Sequence, residues 1–231
     1  MHYFIFPDID TTLYQASSSM NAGLDEVLEV RKDLSASNTN PKVSRILMKF
    51  DISYISQSVS NGTIGSNAKY YLNLFDARPS ELSTSQSLWA YPISQSWVEG
   101  EGFTSDNPVT TDGASWNYKD DAETKTMWNS AMTASGGTWH SAVYASQSLE
   151  WSTRDIRMDV TPIVDKWLDG TYANEGFIIK RSGSMVPTAG GGANLNTGSA
   201  EGNNDRLGNL SFFSRQTNTI YPPKLEVEWY D

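Results

Sequence analysis

The stretch DVTPIVDKWLDGTYANEGFIIKRSG, Asp159 to Gly183, decides how the rest of the chain is read. It reads as one short helix that runs directly into one strand. Thr161 is a good N-cap, and Pro162 at N1 has the fixed φ that a helix start favours. Ile163, Val164, Trp167 and Leu168 form one apolar stripe. Gly170 suits the C′ position. Two turns of helix are too few to be stable alone, so the stripe must lie on something. The spacing predicts that it faces inward and closes one open end of a β-structure, with GFIIK (Gly176–Lys180) as the next strand.

Outward from this segment the pattern is period two, in β-branched and aromatic residues. YFIF (Tyr3–Phe6), TTLYQA (Thr11–Ala16) and EVLEVRK (Glu26–Lys32) read as strands. In SRILMKFDI (Ser44–Ile52), Ile46, Met48 and Phe50 share one face. In AKYYLNLFDA (Ala68–Ala77), Tyr70, Leu72 and Leu74 lie opposite Tyr71 and Phe75. SLWAYPISQ (Ser87–Gln95) bends near Pro92. SLEWST (Ser148–Thr153), DIRMDV (Asp155–Val160), LSFFSR (Leu210–Arg215) and KLEVEWY (Lys224–Tyr230) complete the set, the last with Leu225, Val227 and Trp229 on one face. There is no βαβ rhythm and no repeat. The expected fold is all-β: one antiparallel β-sandwich of jelly-roll type over 1–231, with one short helix capping it. Two long loops are expected. One spans about 97–140, is rich in Gly, Asp and Trp, and has a helical turn near Ala122–Trp128. The other, 182–208, is rich in Gly, Asn and Ser.

The net charge is −10, which opposes a nucleic-acid backbone and anionic membrane surfaces. No run of eighteen apolar residues exists, so no membrane insertion is expected. The absence of Cys excludes disulfides, thiol nucleophiles and thiolate metal sites. The first residues, MHYFIFPDIDTT, lack the basic start of a signal peptide.

Catalytic signals are weak. The two histidines, His2 and His140, have no nucleophile elbow beside them, and three-histidine zinc is impossible. Glu99, Glu101, Asp120, Asp121, Glu123 and Glu150 could supply paired carboxylates for glycoside hydrolysis, but nothing marks a pair. The chain is read as no enzyme, with hydrolase as the remainder. No cofactor is required. A calcium ion is the one cofactor admitted, through Asp8 and Asp10, Asn21 with Asp25 and Glu26, or Asn203–Asp205, although turn chemistry explains the same residues. Trp97, Phe103, Trp116, Tyr118, Trp128 and Trp139 form an aromatic pool; Trp97, Trp116 and Tyr118 are the candidate ligand-stacking set. Packing the long loops onto the sandwich is their competing role.

The order SRILMKFDI, WVEG, DVTPIVDKWLDG with NEGFIIK, LSFFSR and PPKLEVEW resembles the DNRLRE-type β-sandwich family, itself similar to some carbohydrate-binding modules. The most specific piece is Asp159, Val160, Thr161, Val164, Trp167 and Gly170, followed by Asn174, Gly176 and Phe177. The resemblance implies a sandwich without an active site. NAGLDEVLEVRK with SRILMKFD is also similar to stand-alone forms among tailed-phage structural proteins. That implies a virion component of tail, baseplate or capsid decoration, assembled in the host cytoplasm, and a homo-oligomer or part of a larger assembly. Its partners would be other virion proteins or a cell-surface polysaccharide. The alternative it implies is an extracellular carbohydrate-binding module of a polysaccharide-degrading system.

Overall fold

A computed structural model of the chain describes residues 1–34, 41–65, 67–78, 86–122, 124–128, 135–149, 155–181, 201 and 206–230. Its strands are β1 (His2–Ile5), β2 (Ile9–Tyr14), β3 (Val27–Leu34), β4 (Pro41–Lys49), β5 (Lys69–Leu74), β6 (Gln86–Pro92), β7 (Tyr118–Asp120), β8 (Thr126–Met127), β9 (Ala145–Leu149), β10 (Ile156–Asp159), β11 (Phe177–Lys180), β12 (Gly208–Phe213) and β13 (Lys224–Glu228). The helices are α1 (Ser53–Ser60) and α2 (Thr161–Leu168).

Two antiparallel sheets face each other as a β-sandwich. One has the order β1-β13-β5-β10, and the other β12-β3-β4-β11-β6-β9. β4 pairs with three strands, β11 along Ile46–Met48, β2 along Ser44–Lys49 and β3 along Pro41–Val43, and the larger sheet curls there. The chain passes between sheets from β4 to β5 to β6 and from β9 to β10 to β11, the crossing pattern of a jelly roll. At one side the sheets are joined by backbone bonds, Phe213 N–H to Phe75 O at 3.0 Å and Ala77 N–H to Ser211 O at 2.8 Å. At the other, the Gln147 side chain accepts from Arg157 N–H (3.0 Å) and donates to Asp155 O (3.3 Å), so β9 and β10 close without a ladder.

The main core is the inner face of both sheets. It holds the expected alternating sets: Ile46 and Met48 of β4 with Phe50 beyond them, Tyr70, Leu72 and Leu74 of β5, and Leu225 and Val227 of β13 with Trp229. α2 adds Ile163, Val164 and Trp167, and Trp167 meets Phe177 edge-on at 4.7 Å. Gly170, at φ +75°, ends the helix where an L side chain would be strained. The start of α2 differs from expectation. The Thr161 hydroxyl does not cap its own helix; it accepts Tyr70 N–H at 3.0 Å and ties α2 to β5. Asp159 Oδ1 accepts Thr161 N–H instead, at 3.0 Å.

Two local expectations are corrected. A second helix, α1, follows β4. Asp51 Oδ1 accepts Ser53 N–H at its start, and Ile52, Ile55 and Val59 give it a narrow apolar stripe. Ala122–Trp128 holds no helical turn among its described residues; β7 and β8 pair there as a bulged hairpin. Asp120 Oδ1 accepts Ala122 N–H at 3.0 Å in the turn that follows β7. Of the loop expected at 182–208, residues 182–200 and 202–205 lie outside the described residues.

Trp167→Ala is expected to lower unfolding stability by about 3–5 kcal/mol in chemical denaturation, the usual cost of removing a buried large aromatic. A loss within experimental error would show that α2 does not carry part of the core.

Candidate functional site

The outer face of the curled sheet is buried as well. Leu13, Val43, Leu47, Tyr91, Ile93 and Ile178 form a second core there, and the segment that covers it supplies Ala114, Trp97, Trp116, Trp128 and Trp139. Trp97 is 7% exposed and Trp116 2% exposed. The Trp97 indole donates to Glu175 O at 3.0 Å, and Trp128 to Ser115 O at 2.8 Å. Tyr118 is half-buried on β7, with Lys125 Nζ 5.4 Å from its ring centre. The structure therefore places Trp97 and Trp116 with inward faces and does not join them to Tyr118 in one open platform.

Asn21 stitches this cover to the sheet. Its amide donates to Glu99 O (2.6 Å) and Ala114 O (2.9 Å), and its Oδ1 accepts Gly23 N–H (3.1 Å) and Gly102 N–H (2.8 Å). Both donors and the acceptor of its side chain are thus engaged within the protein. Gly100 has φ +80°, and a Cβ there would lie 2.5 Å from Asn21 Oδ1.

The second core also encloses charge. Arg45 is fully buried on β4. Its guanidinium lies 2.9 Å from Glu201 Oε2, donates to Gly136 O, and stands 4.8 Å from the Trp116 ring centre. Lys180 Nζ is 3.6 Å from the same carboxylate and 4.5 Å from the Trp139 ring centre. Burial pushes Lys180 down to about 8, against the pull of Glu201. Burial raises Glu201, but Arg45 and Lys180 outweigh it and hold the carboxyl below its ordinary value. Breaking such a pair leaves an uncompensated buried charge, so its role is to fix the cover in place.

Two acids meet that the sequence left unpaired. Glu99 Oε1 accepts Asp10 N–H at 2.9 Å and lies 3.4 Å from Arg215 Nε. Asp10 Oδ2 accepts Arg215 N–H at 2.7 Å. Burial pushes Asp10 up to about 8; the Arg215 amide opposes this and the Glu99 charge adds to it. Burial raises Glu99 too. This knot ties β2, the 99–114 segment and the turn after β12. The remaining acids are dispersed: Glu101 N–H bonds Asp112, Asp121 sits 3.2 Å from Lys125, and Glu123 and Glu150 lie outside the described residues, as do Asn203–Asp205. His140 stacks on Tyr172 at 3.9 Å. His2, Glu226 and Glu228 could hold an ion, their ligand atoms lying within 4.8 Å of one another. Arg157 already contacts both carboxylates, at 2.9 and 3.1 Å, and supplies the positive charge.

One open cleft, of about 640 Å³, gathers exposed chemistry. β3 turns Glu29 and Arg31 into it, Tyr14 stands at the end of β2, and Asp25, Arg78 and Phe103 complete the rim. Glu29 accepts from the Tyr14 hydroxyl (3.1 Å) and the Asn209 amide (2.6 Å). Asp25 accepts Thr104 N–H at 3.1 Å. Burial raises the Tyr14 phenol far above its ordinary range, helped by Glu29 and Asp25, so it stays a neutral donor. Burial also raises Asp25, with the Thr104 hydrogen bonds opposing. Phe103 is 40% exposed. The cleft therefore offers fixed acceptors, two guanidinium donors and one apolar ring. Of these residues the sequence singled out only Phe103 and Asp25. The alternation Glu29/Arg31 opposite Leu28/Val30 marks a solvated β3 face, but nothing local brings Tyr14 and Arg78 to it.

Asp10 gives a pH dependence with a definite sign. Its folded value of about 8 stands above the ordinary 3.8, so the folded state keeps a proton that the unfolded chain loses in that window. Its contribution to stability therefore falls as pH rises from about 4 to about 8 and is level above that. Asp10→Asn keeps an acceptor for Arg215 N–H and cannot ionise. Relative to wild type, it is expected to gain stability steadily across this range in denaturation at several pH values; a constant difference would contradict the assignment. Compared with family models and with curated proteins, the chain matches none.

Proposed function

We propose that this is a non-catalytic binding module, a structural component of a phage particle whose cleft beside β3 takes a host-surface glycan. The observation that carries the binding half is the cleft itself. Glu29 and Asp25 are held by hydrogen bonds before any ligand arrives, so hydroxyl groups meet fixed acceptors. Arg31 and Arg78 supply donors, and Phe103 supplies the flat apolar face that a sugar ring covers. The acid pair most altered by its surroundings, Asp10 with Glu99, is committed to a buried knot with Arg215 rather than to an open cleft. That favours binding over hydrolysis. The virion half rests on the resemblance to stand-alone phage proteins and names other virion subunits as partners. The same cleft would serve a carbohydrate-binding module of a polysaccharide-degrading system. Among the described residues no helix is long and apolar enough to cross a membrane.

A glycan array, repeated with a chelator, tests this reading. A hit is expected to weaken by about tenfold or more in Phe103→Ala and in Glu29→Gln. Both variants should unfold as wild type does. Binding that survives both substitutions would place the ligand elsewhere, and an array without hits would remove the glycan reading. Co-sedimentation of the chain with virion fractions, or its absence from them, separates the phage component from the free module.

A further inference from the structure

The free edge of β1 stands apart from the cleft. β1 is the outermost strand of its sheet and is paired, among the described residues, only with β13. Met1 and Trp229 exchange both backbone bonds. In an antiparallel ladder the bonded pairs alternate, so Tyr3 and Ile5 point their backbone groups at β13. His2, Phe4 and Phe6 therefore turn their N–H and C=O groups to the open side. Phe4 is 42% and Phe6 56% exposed. Sheet edges that must stay unpaired carry Lys, Pro or a bulge, and His2–Phe6 has none of these.

We infer that β1 pairs with the β1 of a second copy, antiparallel about a two-fold axis at Phe4. HYFIF is chemically close to a palindrome about that residue. Phe4 meets Phe4, His2 meets Phe6 and Tyr3 meets Ile5, with aromatic or apolar contact and no like charges opposed. The outward backbone groups of His2, Phe4 and Phe6 all find partners in this register. Two carboxylates of the neighbouring β13, Glu226 and Glu228, are bound by Arg157, and Glu226 also by His2 at 2.9 Å. Lys224 Nζ sits 4.3 Å from the Phe4 ring centre and adds positive charge. Two four-stranded sheets then become one continuous sheet of eight, with the Phe4 pair at its centre.

Sedimentation velocity on the full chain tests this. Wild type is expected to run at twice the chain mass, and Phe4→Lys at the chain mass with an unchanged circular dichroism spectrum. The chain has no cysteine, so Phe4→Cys introduces a single thiol. Diamide is expected to link it as a dimer, because the axis places the two residues opposite each other at about 5.5 Å. Phe6→Cys should stay unlinked, its two copies being offset by four residues, about 13 Å. Monomeric wild type at every concentration, or a Phe6→Cys link as fast as that of Phe4→Cys, would overturn the proposal.

Discussion

From Val43 to Met48 strand β4 has no side that faces water, and most of the molecule follows from that. Ile46 and Met48 point into the main core, while Val43 and Leu47 point the other way into a second one. Between the latter pair stands Arg45, fully buried. An apolar surface interrupted by a guanidinium cannot be left open, and it cannot be covered by apolar groups alone. The cover therefore brings both: the indoles of Trp116 and Trp139 over the cation and the carboxylate of Glu201 beside it.

This arrangement explains why Trp97, Trp116, Trp128 and Trp139 are buried rather than presented to solvent. The covering segment has little regular structure of its own, and its indoles do the packing that a third layer would otherwise do. Its backbone is held by Asn21 and by the Asp10–Glu99–Arg215 knot. With those anchors made, the segment can project Phe103 and Thr104 as one wall of the cleft opposite β3. The second core thus sets the position of this wall of the cleft.

The larger elements were legible in the residues. Period-two alternation places the strands of both sheets except β9, which runs Ala145–Leu149 and meets SLEWST only at its end, residues 150–153 lying outside the described residues; it assigns inner faces to Ile46, Met48, Tyr70, Leu72, Leu225 and Val227, where the structure has them. The helix in DVTPIVDKWLDG is equally plain. α1 is harder, since SYISQSVS is half serine and only the spacing of Ile52, Ile55 and Val59 shows it. The second core had a signal that alternation alone does not use. RILM and FII are apolar at both parities, which marks strands covered on both faces. The site was far less legible. Asp10 and Glu99 lie 89 residues apart, and Glu29 and Asn209 lie 180 apart. Such pairs are made by sheet curvature and loop anchoring, and one sequence holds no local trace of them.

Amide hydrogen exchange tests most directly whether the tryptophan segment is core rather than loop. The decisive amides are Ala114, bonded to Val98 O at 2.7 Å, Ser115, bonded to Tyr118 O at 2.8 Å, and Asn117, bonded to Ser18 O at 2.9 Å. They are expected to exchange as slowly as the amides of β4, by opening of the whole fold. Exchange at the rate of an exposed loop, with β4 still protected, would contradict it.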